Sequence, residues 1–424
     1  MNFLKRFSDI YGKITGITTH HPLNQCLVDS QLMTLRTTPP PMWVIALTIS
    51  SSVVGMTLLT PALPLIQNEL SASSSAVQLL LTSYLATLAI GQLIYGTVSD
   101  LIGRRPILVF GAALYCVGGI VASLASTIEW LTFLRIIQGL GAAACLSMGR
   151  AIVNDCFERT DAAKNMSTIQ MLQAIVPGLS LALGGIIAEF MGWQGAMVIM
   201  SILGLSVFII AITMIKETHT DKASHINLGA IGAAYNTVLK NPVFVFFAVT
   251  SAMQVGMFFS MNAFLPYQYA RLGFSTMEFG LWFSLTPLCY VIGNSLNRLY
   301  FISLGIERAA MIGCALTLVS VISLFTTQFL GMTHPLSLAL PCCLFGFSNG
   351  MVIANATMGA ISAAGVHGGT GTGIAGSWQM ALSGIAGSGI ISLGGDQNFQ
   401  LATSILILMS LTALFSIHWI YRHR

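Results

Sequence analysis

Charged residues are scarce in this chain: Asp, Glu, Lys and Arg make up 8% of its 424 residues, whereas 55% are hydrophobic. A soluble domain carries roughly 25% charged residues. So little charge cannot cover a surface that faces water, but it suits a surface that faces lipid. The composition therefore excludes an ordinary soluble protein and predicts an all-α membrane protein.

The zinc-hydrolase motif and the ATP-binding loop are also missing. The sequence has no HExxH pattern and no G-x-x-x-x-G-K-[ST] phosphate loop. Its eight cysteines form no CxxC pair, and six of them fall inside apolar segments. We expect these cysteines to be small buried hydrophobes, and we expect no enzyme, no metal site and no bound cofactor.

Long apolar segments are what the chain does contain. A membrane-spanning helix needs about 20 mostly apolar residues, and twelve segments fit. We predict a tail at 1–41, six helices within 42–215, a polar linker at 216–242, six helices within 243–420 and a tail at 421–424. The predicted spans are 42–66, 76–99, 106–126, 131–153, 165–189, 194–215, 243–265, 277–298, 308–330, 336–357, 371–393 and 399–420.

The basic residues predict the orientation of these helices, since Lys and Arg near span ends favour the cytoplasmic side. One set of connections holds nearly all of them, whereas the other set holds Glu69, Glu129 and Asp396, with Arg271 as its one basic residue. Both termini are therefore predicted to be cytoplasmic. The residues on the cytoplasmic side are Arg104, Arg105, Arg159, Lys164, Lys216, Lys222, Lys240, Arg298, Arg308, Arg422 and Arg424.

The tail at 1–41 carries Lys5, Arg6 and Lys13 but no apolar stretch that is typical of a signal peptide. Its first residues, MNFLKRFSDIYGKI, could form a short helix on an anionic membrane surface. The alternatives are a disordered tail or a true start at Met33 or Met42.

The stretch GTVSDLIGRRP, residues 96–106, places mixed charges between two apolar spans. It resembles the G-x-L-x-D-R-x-G-R-R loop of the major facilitator superfamily, with Leu101 in place of the usual basic residue. LRIIQG (134–139) resembles the R-x-x-Q-G pattern of proton-linked members. PALP (61–64), LQAIVPGLSLALGG (172–185) and GGTGTGIAG (368–376) resemble the bicyclomycin/chloramphenicol-resistance branch, with Leu181 where a second proline is usual.

This resemblance covers about residues 42–420 and implies two six-helix pseudo-repeats around a central pathway. A carboxylate at Asp100 can approach the positive amino-terminal end of the eleventh span, so we predict a latch between the halves. The alternative is that Arg104 and Arg105 only fix the topology. The gating residues that we predict are Gly96, Asp100, Gly103, Arg104, Arg105, Pro177, Gly184 and Gly185.

Acidic residues are absent from the middle of every predicted span, and Thr57 occupies the position where relatives in this branch carry one. Arg135 is the only basic residue well inside a predicted span, whereas Arg150 lies near the inner end of the same span. Partial snorkelling is the alternative to a functional role for Arg135. Arg135, Gln138 and Asp155 are the coupling candidates. Proton antiport, uniport, coupling to another ion and a substrate that carries its own proton all stay open.

Polar and aromatic residues within the spans predict a wet, uncharged cavity, because polar side chains avoid lipid. Each one is also a candidate for an ordinary interhelical hydrogen bond. Such a cavity suits neutral or amphipathic molecules, and Arg135 leaves room for an acidic one. The candidates are Thr57, Tyr84, Gln173, Gln254, Phe258, Asn262, Asn349, Asn355, Trp378 and Gln379.

The resemblance implies a secondary transporter in a bacterial inner membrane that exports a drug, metabolite or siderophore, with the proton gradient as its driving force. An importer or uniporter of a nutrient or metal chelate is the alternative, and a non-transporting receptor is the third. We expect a small-molecule substrate, contact with the lipid bilayer, no nucleic-acid partner and a monomer.

Overall fold

The computed structural model describes residues 39–157, 159–219 and 228–423, and every regular element within these ranges is helical. Most of the predicted tail at 1–41 lies outside the described residues. The first half contains α1 (Met42–Thr57, a 3-10 turn at Thr60–Ala62, then Leu63–Glu69), α2 (Ser74–Ile102), α3 (Arg104–Ala122), α4 (Ile128–Cys156) and the run Arg159–Thr213, which comprises α5 and α6.

The second half repeats this plan. It contains α7 (Pro242–Arg271), α8 (Thr276–Leu296, continued by short irregular turns), α9 (Ile306–Phe329), α10 (Pro335–Ala363), α11 (Gly368–Ser392) and α12 (Phe399–His423). A linker helix, Leu228–Leu239, lies between the halves inside the segment for which we predicted only a polar connection.

Ten helices among the described residues are long and apolar enough to cross a membrane. One of them, Met171–Thr213, holds both α5 and α6. α11 is outside this set because glycine and serine lower its hydropathy, yet its 25 residues extend about 37 Å, more than the ~30 Å of a bilayer core. The predicted all-helical membrane fold is confirmed.

Glycine separates α5 from α6. Gly192 has φ 67° and ψ −178°, a backbone conformation that side chains with a Cβ rarely adopt. Elsewhere, ordinary caps begin the helices: Ser73 accepts from the Ala76 amide at the start of α2, and Ser275 and Glu278 form a reciprocal capping box at the start of α8. Capping side chains and the Gly192 backbone conformation therefore set where these helices begin and end.

Matching helix contacts relate the two halves. α4 packs on α1, α2 and α3, and in the same way α10 packs on α7, α8 and α9. The halves meet along α2 with α11 and along α5 with α8. Apolar side chains that no helix covers, such as Phe110, Val117, Ile202 and Phe415, lie on the outward surface of the bundle, as expected for a surface in contact with lipid.

The ends of the molecule differ in their cores. We call the end where α2 gives way to α3 the basic face, and the other end the opposite face. One apolar cluster fills the first half and continues across to Phe264 and Phe283 of the second half. A separate cluster around Phe244 and Ile417 lies in the second half near the basic face. The shared core therefore ties the halves together toward the opposite face.

Candidate transport pathway between the two halves

Small residues allow helices of the two halves to approach closely. Gly178 of α5 packs against the backbone of Ser284 in α8, and Gly384 of α11 packs against Thr82 in α2. The two contacts are equivalent to each other, because α2 corresponds to α8 and α5 corresponds to α11. Between α2 and α11 the contact continues toward the basic face as far as Ser377, which donates to the Ala89 carbonyl, and the basic-face end of the interface lies beyond it.

The opposite-face end of the interface is closed by polar contacts. Ser74 Oγ donates to Asp396 Oδ2 at 2.6 Å, and Thr276 Oγ1 donates to Glu189 Oε2 at 2.8 Å. Deeper in, the hydroxyls of Thr82 and Ser388 lie 2.5 Å apart. Gly185, a predicted gating residue, has the Thr276 carbonyl only 2.7 Å from where its Cβ would be. No side chain fits there without moving α8.

The basic-face end of the interface is open. Gly369 and Gly373 of α11 and Gly96 of α2 have no neighbouring atom within 4 Å of a Cβ position. The predicted latch contact between Asp100 and the start of α11 is not made in this conformation. Asp100 instead pairs with Arg104 of its own half at 2.6 Å, and its side chain is 47% exposed.

Arg104 is the centre of a charge network at the basic face. It contacts Asp100 and Ser99 from α2, and its Nε donates to Asp155 Oδ2 of α4 at 3.0 Å. Asp155, a coupling candidate, therefore binds a structural cation. Arg105 donates to the carbonyls of Ala211 and Ile212 at the end of α6. The pair of arginines thus ties α2, α4 and α6 together.

Glu217, just after α6, is a member of this network that sequence reasoning missed. Its carboxylate accepts from the backbone amides of Arg104 at 2.8 Å and Arg105 at 3.3 Å, which places an anion at the amino-terminal end of α3. Gly103 has φ 113°, and the Glu217 carboxylate occupies the place of a Cβ. Gly103 is required here by backbone geometry and by this close approach.

Arg135 is fully buried, so the snorkelling alternative is wrong. Its Nη2 donates to the Gly55 carbonyl at 2.8 Å, its Nη1 donates to Gln138 Oε1 at 2.6 Å, and its guanidinium lies 4.2 Å from the centre of the Tyr84 ring. A weaker contact reaches the Leu80 carbonyl. Arg135, Gln138 and Tyr84 therefore form a buried core within the first half and have no surface toward an open cavity.

The Gly55 carbonyl lies in the last turn of α1 before that helix breaks. Tyr84 donates to the Ser52 carbonyl at 2.8 Å on the same segment. Thr57 is 1% exposed, and its hydroxyl reaches only the Val53 carbonyl of its own helix. These contacts fix the break in α1, against which Gly184 of α5 packs at the Leu58 carbonyl.

Arg150 and Gln173 lie closer to the basic face. Arg150 Nη2 donates to Gln173 Oε1 at 3.3 Å, joining α4 to α5, and both residues are partly exposed. Pro177 follows one turn later in α5, where it removes a backbone donor from the helix. Of the predicted cavity residues in the first half, Gln173 is the one with exposed surface.

A neutral polar cluster fills the second half. Gln254 Nε2 donates to Thr317 Oγ1 at 3.1 Å, and Thr317 is 2.9 Å from Ser348. Ser348 lies in a G-x-S-x-G pattern, but it is fully buried and bonded to the Phe345 carbonyl, so the pattern does not expose a nucleophile. Asn355 donates to Asn297 Oδ1 at 2.9 Å. Gln254 and Asn355 are thus interhelical contacts.

The other candidates in the second half have unused polar atoms or partial exposure. Asn262 and Asn349 are buried, and the Oδ1 atom of each has no hydrogen-bond partner. Phe258 is partly buried and stacks on Phe283 with 6.0 Å between ring centres. Gln379 is partly buried.

Trp378 lines an apolar groove of about 270 Å³ between α7 and α11, together with Met253 and Ile385. Ile385 is 68% exposed. The neighbouring residue, Ser377, donates to the Ala89 carbonyl of α2. Since successive residues of a helix are about 100° apart, Trp378 faces this groove and not α2.

Comparison with known proteins agrees with this geometry. The sequence profile of the Major Facilitator Superfamily matches residues 45–388. The chain belongs to the major facilitator superfamily. It is a membrane transporter of small molecules and not an enzyme, and its charge network is the superfamily loop recognised in GTVSDLIGRRP.

Relatives place it near the branch that the motifs indicated. The Bicyclomycin resistance protein homolog of Haemophilus influenzae is 26% identical over 345 residues, covering 81% of this chain and 86% of that protein. The Chloramphenicol resistance protein of Pseudomonas aeruginosa is 27% identical over 314 residues, covering 73% of each. The predicted resemblance to this branch is confirmed.

Solved structures agree on the fold. The D-xylose-proton symporter superposes with a TM-score of 0.70 at 16% identity, covering 88% of this chain and 96% of that one. A partially occluded inward open conformation of the E. coli xylose transporter also gives 0.70, at 15% identity, covering 90% and 96%. At such identities the likeness extends to the fold alone.

Proposed function

We propose that this transporter exports small organic molecules across a bacterial inner membrane by alternating access, with proton entry as the driving force and no bound cofactor. The observation that carries export is the similarity to proteins named for bicyclomycin and chloramphenicol resistance. The basic face is cytoplasmic in this proposal because Lys and Arg concentrate there. The molecule described is then open to the cytoplasm, ready to take up its cargo.

Alternating access is supported by the two-part interface. The helix pairs α2 with α11 and α5 with α8 are in contact toward the opposite face, whereas Gly96 of α2 and Gly373 of α11 face open space at the basic face. A rocking motion about the central glycine contacts would reverse this pattern, as in many transporters built from two repeats. The protein acts as a monomer in this proposal, since one chain supplies both halves of the pathway.

A second candidate, uniport or import without proton coupling, is favoured by the positions of the acidic residues. Among the described residues, every Asp and Glu lies at or near the end of a helix or in a connection, and the buried ionisable group Arg135 is held by neutral acceptors. A proton carrier needs a group that changes protonation within the pathway. Asp100 and Asp155 are the remaining candidates, and both bind Arg104.

Transport of chloramphenicol into inverted membrane vesicles tests this proposal. With the vesicle interior made acidic, proton-coupled export predicts accumulation, because the interior then corresponds to the outside of the cell. An ionophore that dissipates the gradient should abolish accumulation, and reversal of the gradient should lower it. Equal fluxes under all three conditions would establish uncoupled transport instead.

A further inference from the structure

Arg150 is a cation within a membrane-spanning helix that has one hydrogen-bond partner among the described side chains. It lies six residues before the end of α4, about 9 Å inside the basic face. Its hydrogen bond to Gln173 Oε1 has a length of 3.3 Å, and no carboxylate among the described side chains lies within 4.0 Å of it. A charge at such a depth is costly and usually functional.

Arg135 lies fifteen residues earlier in the same helix and, unlike Arg150, has several hydrogen-bond acceptors around its guanidinium. Its guanidinium binds two backbone carbonyls and one amide oxygen and stacks on Tyr84. A guanidinium has five N–H donors, and Arg150 uses one of them on a described acceptor. Arg150 therefore keeps a free donor face, whereas Arg135 does not.

The position of Gln173 places this donor face on the open pathway. Gly178 of α5 contacts α8 at the Ser284 carbonyl. Gln173 precedes Gly178 by five residues toward the basic face, and both Gln173 and Arg150 are partly exposed. Because Arg150 of α4 donates to Gln173 of α5, its guanidinium lies beside α5, one of the helices that meet the second half.

We propose that Arg150, assisted by the amide of Gln173, binds the carboxylate of an acidic amphipathic molecule entering from the basic face. Two parallel N–H···O bonds from a guanidinium to a carboxylate give both strength and orientation. Partly apolar surroundings strengthen this attraction, because water screens it less. The inference rests on the proposed transport function and adds a preference for acidic cargo.

Indole-3-acetate and indole-3-acetamide are suitable probes because they have nearly equal size and differ in charge. We expect the full-length protein in phosphatidylcholine nanodiscs to bind the carboxylate more tightly than the amide. Arg150→Gln should weaken indole-3-acetate binding about 10- to 100-fold and leave indole-3-acetamide unchanged. Arg150→Lys should be intermediate, since lysine keeps the charge but not the forked geometry. Isothermal titration provides the measurement.

Arg298→Gln is the matched control, because Arg298 is an exposed arginine on the same face in the other half. It should change neither affinity. The inference is overturned if the parent does not distinguish the two probes, or if Arg150→Gln weakens both equally. It is also overturned, in favour of a lipid phosphate as occupant, if the effect of the substitution appears only with phosphatidylglycerol present. Gradient-driven chloramphenicol transport by the parent protein would show that such a failure leaves the proposed function intact.

Discussion

One interface between the halves has two different ends. At the opposite face, Ser74 bonds to Asp396 and Thr276 bonds to Glu189, and Gly185 touches the backbone of α8. At the basic face, Gly96 of α2 and Gly369 and Gly373 of α11 face open space. The difference shows that small residues serve two purposes along one helix pair: some hold a present contact, whereas others leave room for a future one.

Hydrogen bonds at the closed end are few and partly exposed to water. Each such bond contributes about 1 kcal/mol. A handful of these bonds can be exchanged for the Asp100 latch at the other end without a large net change in free energy. Two conformations that differ by a few kcal/mol are what a transporter needs.

The largest expected effects come from filling each end of the interface. Gly185→Leu places a side chain against the backbone of α8, so it should force the closed end apart. Gly373→Leu fits the open space seen here but should prevent the basic face from closing. Both substitutions should lower chloramphenicol transport by about ten-fold or more.

Accessibility separates these two variants. A cysteine introduced by Ser388→Cys in a cysteine-free background should label faster from the opposite face in Gly185→Leu and more slowly in Gly373→Leu. Gly232→Leu, in the open surroundings of the linker helix, is a matched control that should behave as the parent. If both interface variants shift the labelling rate in the same direction, the two ends of the interface do not open in alternation.

Arg135 supports the closed end indirectly, through the break in α1. The turn at Thr60–Ala62 packs on α7 and α8, and Arg135 holds the Gly55 carbonyl just before it. Arg135→Met leaves that carbonyl and Gln138 Oε1 without a donor, so it should lower the free energy of unfolding by about 3 kcal/mol. Gln254→Met, in the neutral cluster of the second half, should lower the free energy of unfolding by about 1 kcal/mol. Denaturant titration of both variants in detergent checks the difference, and equal losses would contradict it.

Periodicity and charge could predict the twelve spans, because lipid imposes a minimum apolar length on each helix. They could not predict the linker helix Leu228–Leu239, whose residues pack on the second half through Val238 and Tyr235. They also assigned Thr57 to the middle of an unbroken span. The break after Thr57 depends on donors from Tyr84 and Arg135, which are distant in sequence.

Prediction of the site was more limited, for a physical reason. The superfamily loop identified Asp100, Arg104 and Arg105, but the Glu217 cap lies more than a hundred residues away and follows no motif. Polar residues such as Gln254 and Gln173 look alike in sequence. Gln254 is buried against Thr317 within one half, whereas Gln173 is partly exposed. Only the packing of neighbouring helices distinguishes a cavity wall from an interhelical bond.

The smallest expected effect is that of Asp100→Asn, and whether it raises or lowers cysteine labelling tests the latch. In the conformation described, Asp100 is 47% exposed and binds a neighbour one turn away, a pair that contributes less than about 1 kcal/mol. Asp100→Asn should therefore leave this state nearly unchanged and weaken the conformation with a closed basic face. Labelling of a cysteine introduced by Gly369→Cys from the basic face should rise about two- to five-fold. Ser74→Ala, which removes a bond at the closed end, should lower it. A fall in labelling with Asp100→Asn would mean that Asp100 stabilises the open basic face through Arg104, and the latch would be rejected.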